Sequence, residues 1–276
     1  MTGTKRARRP EPLDLESENW RQRVRSASSI GLFLDFDGTV SPIVATPLLA
    51  EIDAEIREVL ERLVAQSDIR VSIVSGRSLD DVRTRAGIAG VIYAGNHGLE
   101  IESDTVCFRE PHAESLRLEL RALVLQLELA LSGTGGTLIE QKGLSASVHY
   151  RQVNEALHEW VRRTVQQTVE RSRSFACREG KMVVDVRPAI EWHKGHAVQW
   201  ILDRILPPGA LPIYIGDDTT DEDAFCLLAK GITIRVGDAP ESCAAYSAPD
   251  LDAVRNFLSQ LGELRSNAEK GAQERT

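Results

Sequence analysis

The segment Leu32-Phe33-Leu34-Asp35-Phe36-Asp37-Gly38-Thr39-Val40 joins an apolar run directly to two carboxylates one residue apart, with a glycine immediately after them. A run without polar alternation is a strand covered on both faces, and its abrupt polar end is a loop at the sheet edge. A chain built on such a strand delivers two acids to the rim of a buried sheet.

The following segments repeat the pattern. Leu49, Ile52, Ile56, Val59, Leu60 and Leu63 recur at three- and four-residue spacing, which predicts an amphipathic helix. A second apolar run over 69–74 ends in Ser75-Gly76-Arg77, a short helix begins near Ser78, and a third run, Val91-Ile92-Tyr93-Ala94, leads into Gly95-Asn96-His97-Gly98. Strand, helix, strand with polar loops after the strands signals a parallel sheet.

The rhythm then changes. A hairpin is expected over 99–108, followed by a helix over 113–131 with leucines on both faces, so that both faces are expected to be partly covered. Strands over 137–140 and 144–150, a helix carrying Leu157, Trp160, Val161, Val165 and Val169, and strands over 174–177 and 182–186 complete an α+β grouping. The first rhythm returns with a helix over 196–205, a strand over 211–215 ending in Gly216-Asp217-Asp218-Thr219-Thr220-Asp221-Glu222-Asp223, a helix over 224–229, a strand over 232–236 and a helix over 251–261. The expectation is a doubly wound parallel α/β sheet of the Rossmann-like kind over 15–104 and 189–265, an inserted α+β domain over 105–188, and mobile tails over 1–14 and 266–276.

With 276 residues, 42% of them apolar, the chain can bury a sizeable core. A formal charge of -8 argues against nucleic acid as a partner, and no apolar run reaches the length of a membrane span. The basic N-terminus passes directly into Pro10-Glu11-Pro12, where a signal peptide needs an apolar segment. Cys107, Cys177, Cys226 and Cys243 show no short metal-type spacing, so they are expected to be reduced packing residues of a cytoplasmic protein.

In a doubly wound sheet, ligands sit outside the carboxyl ends of the strands. Those ends carry Asp35, Asp37, Ser75, Asp217, Asp218 and Asp221. Gathered in one crevice, such acids require a cation, and an all-oxygen site with room for a phosphate suits Mg²⁺ better than zinc. A carboxylate beside Mg²⁺ can attack phosphorus, Ser75 can donate to a phosphoryl oxygen, and Lys194 in His193-Lys194-Gly195 can supply charge. No Gly-x-x-x-x-Gly-Lys loop points to a P-loop nucleotide enzyme.

Asp35-Phe36-Asp37-Gly38-Thr39, Ser75-Gly76-Arg77, Lys194-Gly195 and Gly216-Asp217-Asp218-Thr219-Thr220-Asp221 together resemble the four ordered signatures of the haloacid dehalogenase superfamily. Gly95-Asn96-His97-Gly98, Val148-His149-Tyr150-Arg151 and Arg187-Pro188 narrow the resemblance to the trehalose-6-phosphate phosphatase family. The resemblance implies Asp35 as nucleophile, Asp37 as acid and base, and Ser75 and Lys194 as phosphoryl ligands. It implies Mg²⁺ on Asp35, the carbonyl of Asp37, and Asp217, with Asp218 and Asp221 direct or one step removed. Gly38, Thr39, Arg77, Asn96 and His97, and in the insert Lys142, Arg151, Glu179, Lys181 and Arg187, are the implied substrate-binding residues. The insert would be a cap over a sugar phosphate, the chain a monomer, and trehalose-6-phosphate synthase a candidate partner. Alternatives remain open for several positions: Asp218 and Asp221 as helix caps, and His97 and His149 as packing residues. Asp185 stands where the family commonly has Glu, which weakens it as a sugar contact. A phosphatase of another sugar phosphate, such as sucrose 6-phosphate, and a non-catalytic binding subunit are the competing functions.

Overall fold

The computed structural model describes residues 8–44 and 47–273, and the chain folds as two compact units, one formed by the segments before Phe108 and after Glu191 and the other by Phe108–Glu191. The chain opens with β1 (Glu11–Pro12), α1 (Glu18–Ser26), β2 (Ile30–Leu34), α2 (Ala54–Val64), β3 (Ile69–Val74), α3 (Leu79–Ala86), β4 (Ile92–Gly95), β5 (Glu100–Glu102) and β6 (Cys107–Arg109). The second unit holds α4 (Pro111–Ser115), α5 (Arg117–Leu131), β7 (Leu138–Gln141), β8 (Ala146–His149), α6 (His158–Glu170), β9 (Phe175–Gly180) and β10 (Val183–Pro188). The chain then returns through α7 (Lys194–Arg204), β11 (Leu211–Gly216), α8 (Glu222–Leu227), β12 (Ile232–Val236), β13 (Tyr246–Ala248) and α9 (Leu251–Gln273).

The large sheet runs β1-β13-β12-β11-β2-β3-β4-β5-β6, parallel from β1 through β4 and antiparallel where β5 pairs with β4. All five residues of β2 are buried, as a run without polar alternation requires. Ile30, Leu32 and Leu34 pack with Ile56 and Leu60 of α2, Val82 of α3 and Phe257 and Leu261 of α9. Side chains alternate along strands, so Phe33 and its neighbour Tyr214 point the other way, where Phe225 of α8 meets Tyr214 edge-on at 5.5 Å between ring centroids. Helices thus cover both faces, the doubly wound arrangement.

Three expectations are corrected here. Residues 8–14 are not a free tail: β1 extends the sheet beside β13, and Leu13 packs on the core. Its Pro12 is tolerated because the strand lies at the sheet edge. Residues 1–7 of the expected tail lie outside the described residues. At the other end α9 continues through Ser266, whose hydroxyl accepts from Gln66 Nε2 at 3.2 Å, because a segment rich in Ala, Glu, Lys and Gln has no reason to stop. Residues 274–276 lie outside the described residues. Cys226 and Cys243 are not reduced but joined in a disulfide across 17 residues. Their spacing is long, and only the return of the chain through β12 brings them together. Among the described residues no helix is long and apolar enough to cross a membrane.

The second unit is a four-stranded antiparallel sheet in the order β7-β8-β10-β9. One face carries Ala146, Val148, Val184 and Val186 against Leu120, Leu123, Leu127 and Leu131 of α5 and Val161, Val165 and Val169 of α6. The helix expected over 113–131 is divided because Leu116 N is shared between the carbonyls of His112 and Ala113, which tightens the turn. The expected cover on both faces of α5 is absent: Leu118, Leu125 and Leu129 are exposed.

Candidate active site

Asp35 follows β2 and Asp217 follows β11, and these strands are neighbours from which the chain winds in opposite directions. This is the reversal point at which open α/β sheets bind ligands. Lys194, buried at the start of α7, brings its Nζ to 2.8 Å from Asp35 Oδ1 and 2.7 Å from Asp221 Oδ1. The hydroxyl of Tyr214 donates to the same Asp221 oxygen at 2.7 Å, and Asp218 N donates to Asp221 Oδ2 at 2.9 Å. Oxygens of Asp35, Asp217 and Asp221 lie within 4.8 Å of one another.

Electrostatics follow from this packing. Burial raises the Asp35 carboxyl well above the usual carboxylate range, Lys194 pulls it down, and Asp221 and Asp217 push it further up. Asp217 is pushed up to about 6, by burial first and then by Asp221, with Lys194 opposing. Burial alone would depress the Lys194 ammonium, but Asp221 and Asp35 outweigh it and hold it above its ordinary value. Three carboxylates around one ammonium leave negative charge in excess, and all the donors are oxygen. That set fits a hard divalent cation such as Mg²⁺.

The loop after β2 is shaped for the same purpose. Gly38 has φ +76°, and a Cβ there would lie 2.1 Å from Asp217 Oδ2. Asp37 is half-exposed and turned away from the carboxylate cluster into a two-pronged pair: Arg77 Nε donates to its Oδ2 at 2.8 Å and Nη2 to its Oδ1 at 2.7 Å. The remaining Arg77 nitrogen donates to Asp81 at 2.7 Å, and Arg85 holds the other Asp81 oxygen at 2.8 Å. The Arg77 guanidinium also sits 5.4 Å from the centroid of the Phe36 ring. A nucleophile-type acid against a lysine and a second acid two residues on, held apart by arginine, is an arrangement for splitting a phosphate ester.

A family model described as trehalose-phosphatase matches residues 33–250. The chain belongs to the trehalose-phosphatase family. It is 35% identical over 279 residues to "Probable trehalose-phosphate phosphatase 3" of Oryza sativa subsp. japonica, a match spanning 91% of this chain and 75% of that protein. The C-terminal domain of C. albicans trehalose-6-phosphate phosphatase has the same fold, with a TM-score of 0.76 at 20% identity over 93% of this chain and 99% of that one. A haloacid dehalogenase-like hydrolase from Bacteroides thetaiotaomicron gives a TM-score of 0.62 at 16% identity over 84% and 99%. The chain is a phosphatase on the haloacid dehalogenase fold.

Within this trehalose-phosphatase framework the remaining site candidates divide. Ser75 is buried at the end of β3, its hydroxyl accepting from Arg77 N at 3.2 Å. Asn96 and His97 sit behind that turn: Asn96 N donates to Arg77 O at 2.7 Å and His97 N to Ser75 O at 2.8 Å. Both adopt left-handed backbone, and Asn96 is fully buried with its amide on Glu100, so the pair shapes the Ser75 loop. Thr39 is fully buried, which gives its side chain to loop packing. Asp218 caps the turn Thr219–Asp221, accepting from Thr219 N at 2.7 Å, and is absent from the carboxylate cluster. Of the acids in 217–223, only Asp217 and Asp221 join Asp35.

In the second unit, strand alternation sorts the candidates. Asp185 and Arg187 of β10 share the sheet face opposite the helices with Ser147 and His149 of β8 and Glu140 of β7. Arg187 Nη2 pairs with Asp185 Oδ2 at 2.7 Å, Ser147 donates to Asp185 Oδ1 at 2.5 Å, and Lys142 lies 3.9 Å from Glu140. Glu179 does not join them: it stands beside Val184 on the helix side, where Arg162 of α6 lies 3.7 Å away. Arg151 and Lys181 are exposed at turns.

Sequence reasoning missed Tyr214 and Arg235. The first holds Asp221, and the second donates to the Asp218 carbonyl at 2.6 Å. A signal existed for both, because a phenol or a guanidinium inside an apolar strand must find a partner.

Proposed function

We propose that this phosphatase hydrolyses trehalose 6-phosphate to trehalose and inorganic phosphate with Mg²⁺, through an aspartyl-phosphate on Asp35, as the last step of trehalose formation. The observation that carries the reading is the buried Asp35 carboxylate, held by Lys194 beside two further carboxylates in a chain of this family. Asp35, Asp217 and the Asp37 carbonyl would hold the ion, with Asp221 behind them. When bound, Mg²⁺ supplies polarisation of a phosphoryl oxygen and balances the site charge.

Asp35 attacks phosphorus while Asp37 gives its proton to the departing sugar oxygen. Asp37 then takes a proton from water, whose oxygen attacks the phosphorus of the acyl phosphate, and phosphate leaves with Asp35 regenerated. Lys194 and Ser75 bind the transferring group, and Arg77, which holds both Asp37 oxygens in the resting site, lets one go when Asp37 carries its proton while the other keeps it oriented. Sugar recognition falls to the polar sheet face of the second unit, where Arg187, Glu140 and Lys142 provide hydrogen-bonding groups for hydroxyls.

Phosphate release from trehalose 6-phosphate, glucose 6-phosphate and sucrose 6-phosphate tests the substrate. A rate far higher for the first supports the reading, and equal rates refute it. Asp35→Asn should abolish turnover in a folded protein, and persisting activity would remove Asp35 from its role.

A further inference from the structure

α5 carries two apolar stripes. Leu120, Leu123, Leu127 and Leu131 are buried against the sheet of the second unit. Leu118, Ala122, Leu125 and Leu129 follow one another at spacings of four, three and four, and all four are exposed, the leucines by 75%, 61% and 76%. Four-three-four is the spacing of a helix-to-helix seam, and on a helix it places these residues opposite the buried stripe.

We propose that this outer stripe is where two copies of the chain associate, α5 against α5, antiparallel about a two-fold axis. In that register Leu118 meets Leu129 of the partner subunit and Ala122 meets Leu125 of the partner subunit. The small Ala122 side chain lets the helices approach at the centre.

Charge decides both the partner and the direction. Arg121 and Glu128 flank the stripe on one side, and Glu119 and Gln126 on the other. Antiparallel helices set like flank against like flank, so Arg121 of each copy lies beside Glu128 of the other, and symmetry makes the pair twice. Parallel helices would set Arg121 against Gln126, with no ion pair. The surface is therefore complementary to itself in one orientation.

The helix is already ordered by its buried stripe, so association does not bear the cost of helix nucleation. Two heptads bury roughly 800 Å² in total, the size of a weak, concentration-dependent contact. On this proposal a monomer–dimer equilibrium stands in place of the monomer expected from the sequence. None of these residues belongs to the active site.

Sedimentation velocity of the full chain over a concentration series tests the proposal. The expected result is a rise from one to two chain masses with concentration, abolished by Leu125→Glu with circular dichroism and phosphatase activity unchanged. Arg121→Glu and Glu128→Arg should each weaken association about tenfold, and the double exchange should restore it. A chain that remains monomeric at its highest soluble concentration overturns the proposal. So does a dimer indifferent to Leu125→Glu, and a double exchange that fails to restore association overturns the antiparallel register.

Discussion

Arg77 grips Asp37 with two nitrogens, Nε on Oδ2 at 2.8 Å and Nη2 on Oδ1 at 2.7 Å, while Asp81 braces the same guanidinium from behind. A planar fork fixes the direction of a carboxylate as well as its charge. Arg77→Lys keeps the charge but loses the fork, so kcat should fall on the order of tenfold to a hundredfold with KM little moved. Steady-state kinetics on the folded variant check this; an unchanged kcat would refute the orienting role.

Lys194 is the cation buried among Asp35 and Asp221. Lys194→Met should cost about 3–5 kcal/mol in urea unfolding of the metal-free protein, because two carboxylates stay buried without compensation. Asp35→Asn should do the reverse, stabilising the metal-free fold by about 1 kcal/mol while ending turnover, since it removes one of the repelling charges. A destabilised Asp35→Asn protein would contradict the account.

Burial, and after it Asp221, push the Asp217 carboxyl up to about 6 from an ordinary value of 3.8. Between those values the folded protein holds a proton that the unfolded chain has released, so acid favours the fold. Without metal, stability should therefore rise on the order of 1 kcal/mol as pH falls from about 7 to about 5, before other groups intervene. Mg²⁺ needs the ionised carboxylate, so its stabilising effect should fade over the same window. Thermal unfolding with EDTA and with Mg²⁺ at both pH values reads both trends.

Gly38 is held at φ +76° with Asp217 Oδ2 occupying the space of a side chain. Gly38→Ala should displace the Asp217 carboxylate and weaken Mg²⁺ binding at least tenfold by calorimetry. Binding equal to that of the parent chain would show that the close approach is dispensable.

The Cys226–Cys243 disulfide closes a segment of 17 residues that includes β12. Reduction, or Cys243→Ser, should lower stability by about 3 kcal/mol if restriction of the unfolded chain is the main effect. Unfolding with and without dithiothreitol measures it, and identical midpoints would show that the bond contributes nothing.

The two units and the acid-bearing strand ends were legible because each is local. A continuous apolar run becomes a covered strand, and the residue after it lies at the sheet rim. Side-chain roles were less legible. Asp217, Asp218 and Asp221 are indistinguishable as letters, yet Asp218 caps a turn while the others join Asp35. Glu179 resembles a sugar ligand in sequence, and the pairing of β9 with β10 places it beside Val184 on the helix side. β1 is two residues long and has no period to read; its partner lies more than two hundred residues away.

The sequence by itself determined the doubly wound core and the acids carried at its strand ends, because burial periodicity and abrupt polar loops are properties of short segments. Only the tertiary structure decided which acids face one another, that Tyr214 and Lys194 share Asp221, that Arg77 holds Asp37, and that Cys226 meets Cys243. Those relations depend on strand order and on which face a residue takes, and both are set by contacts between segments far apart in the chain.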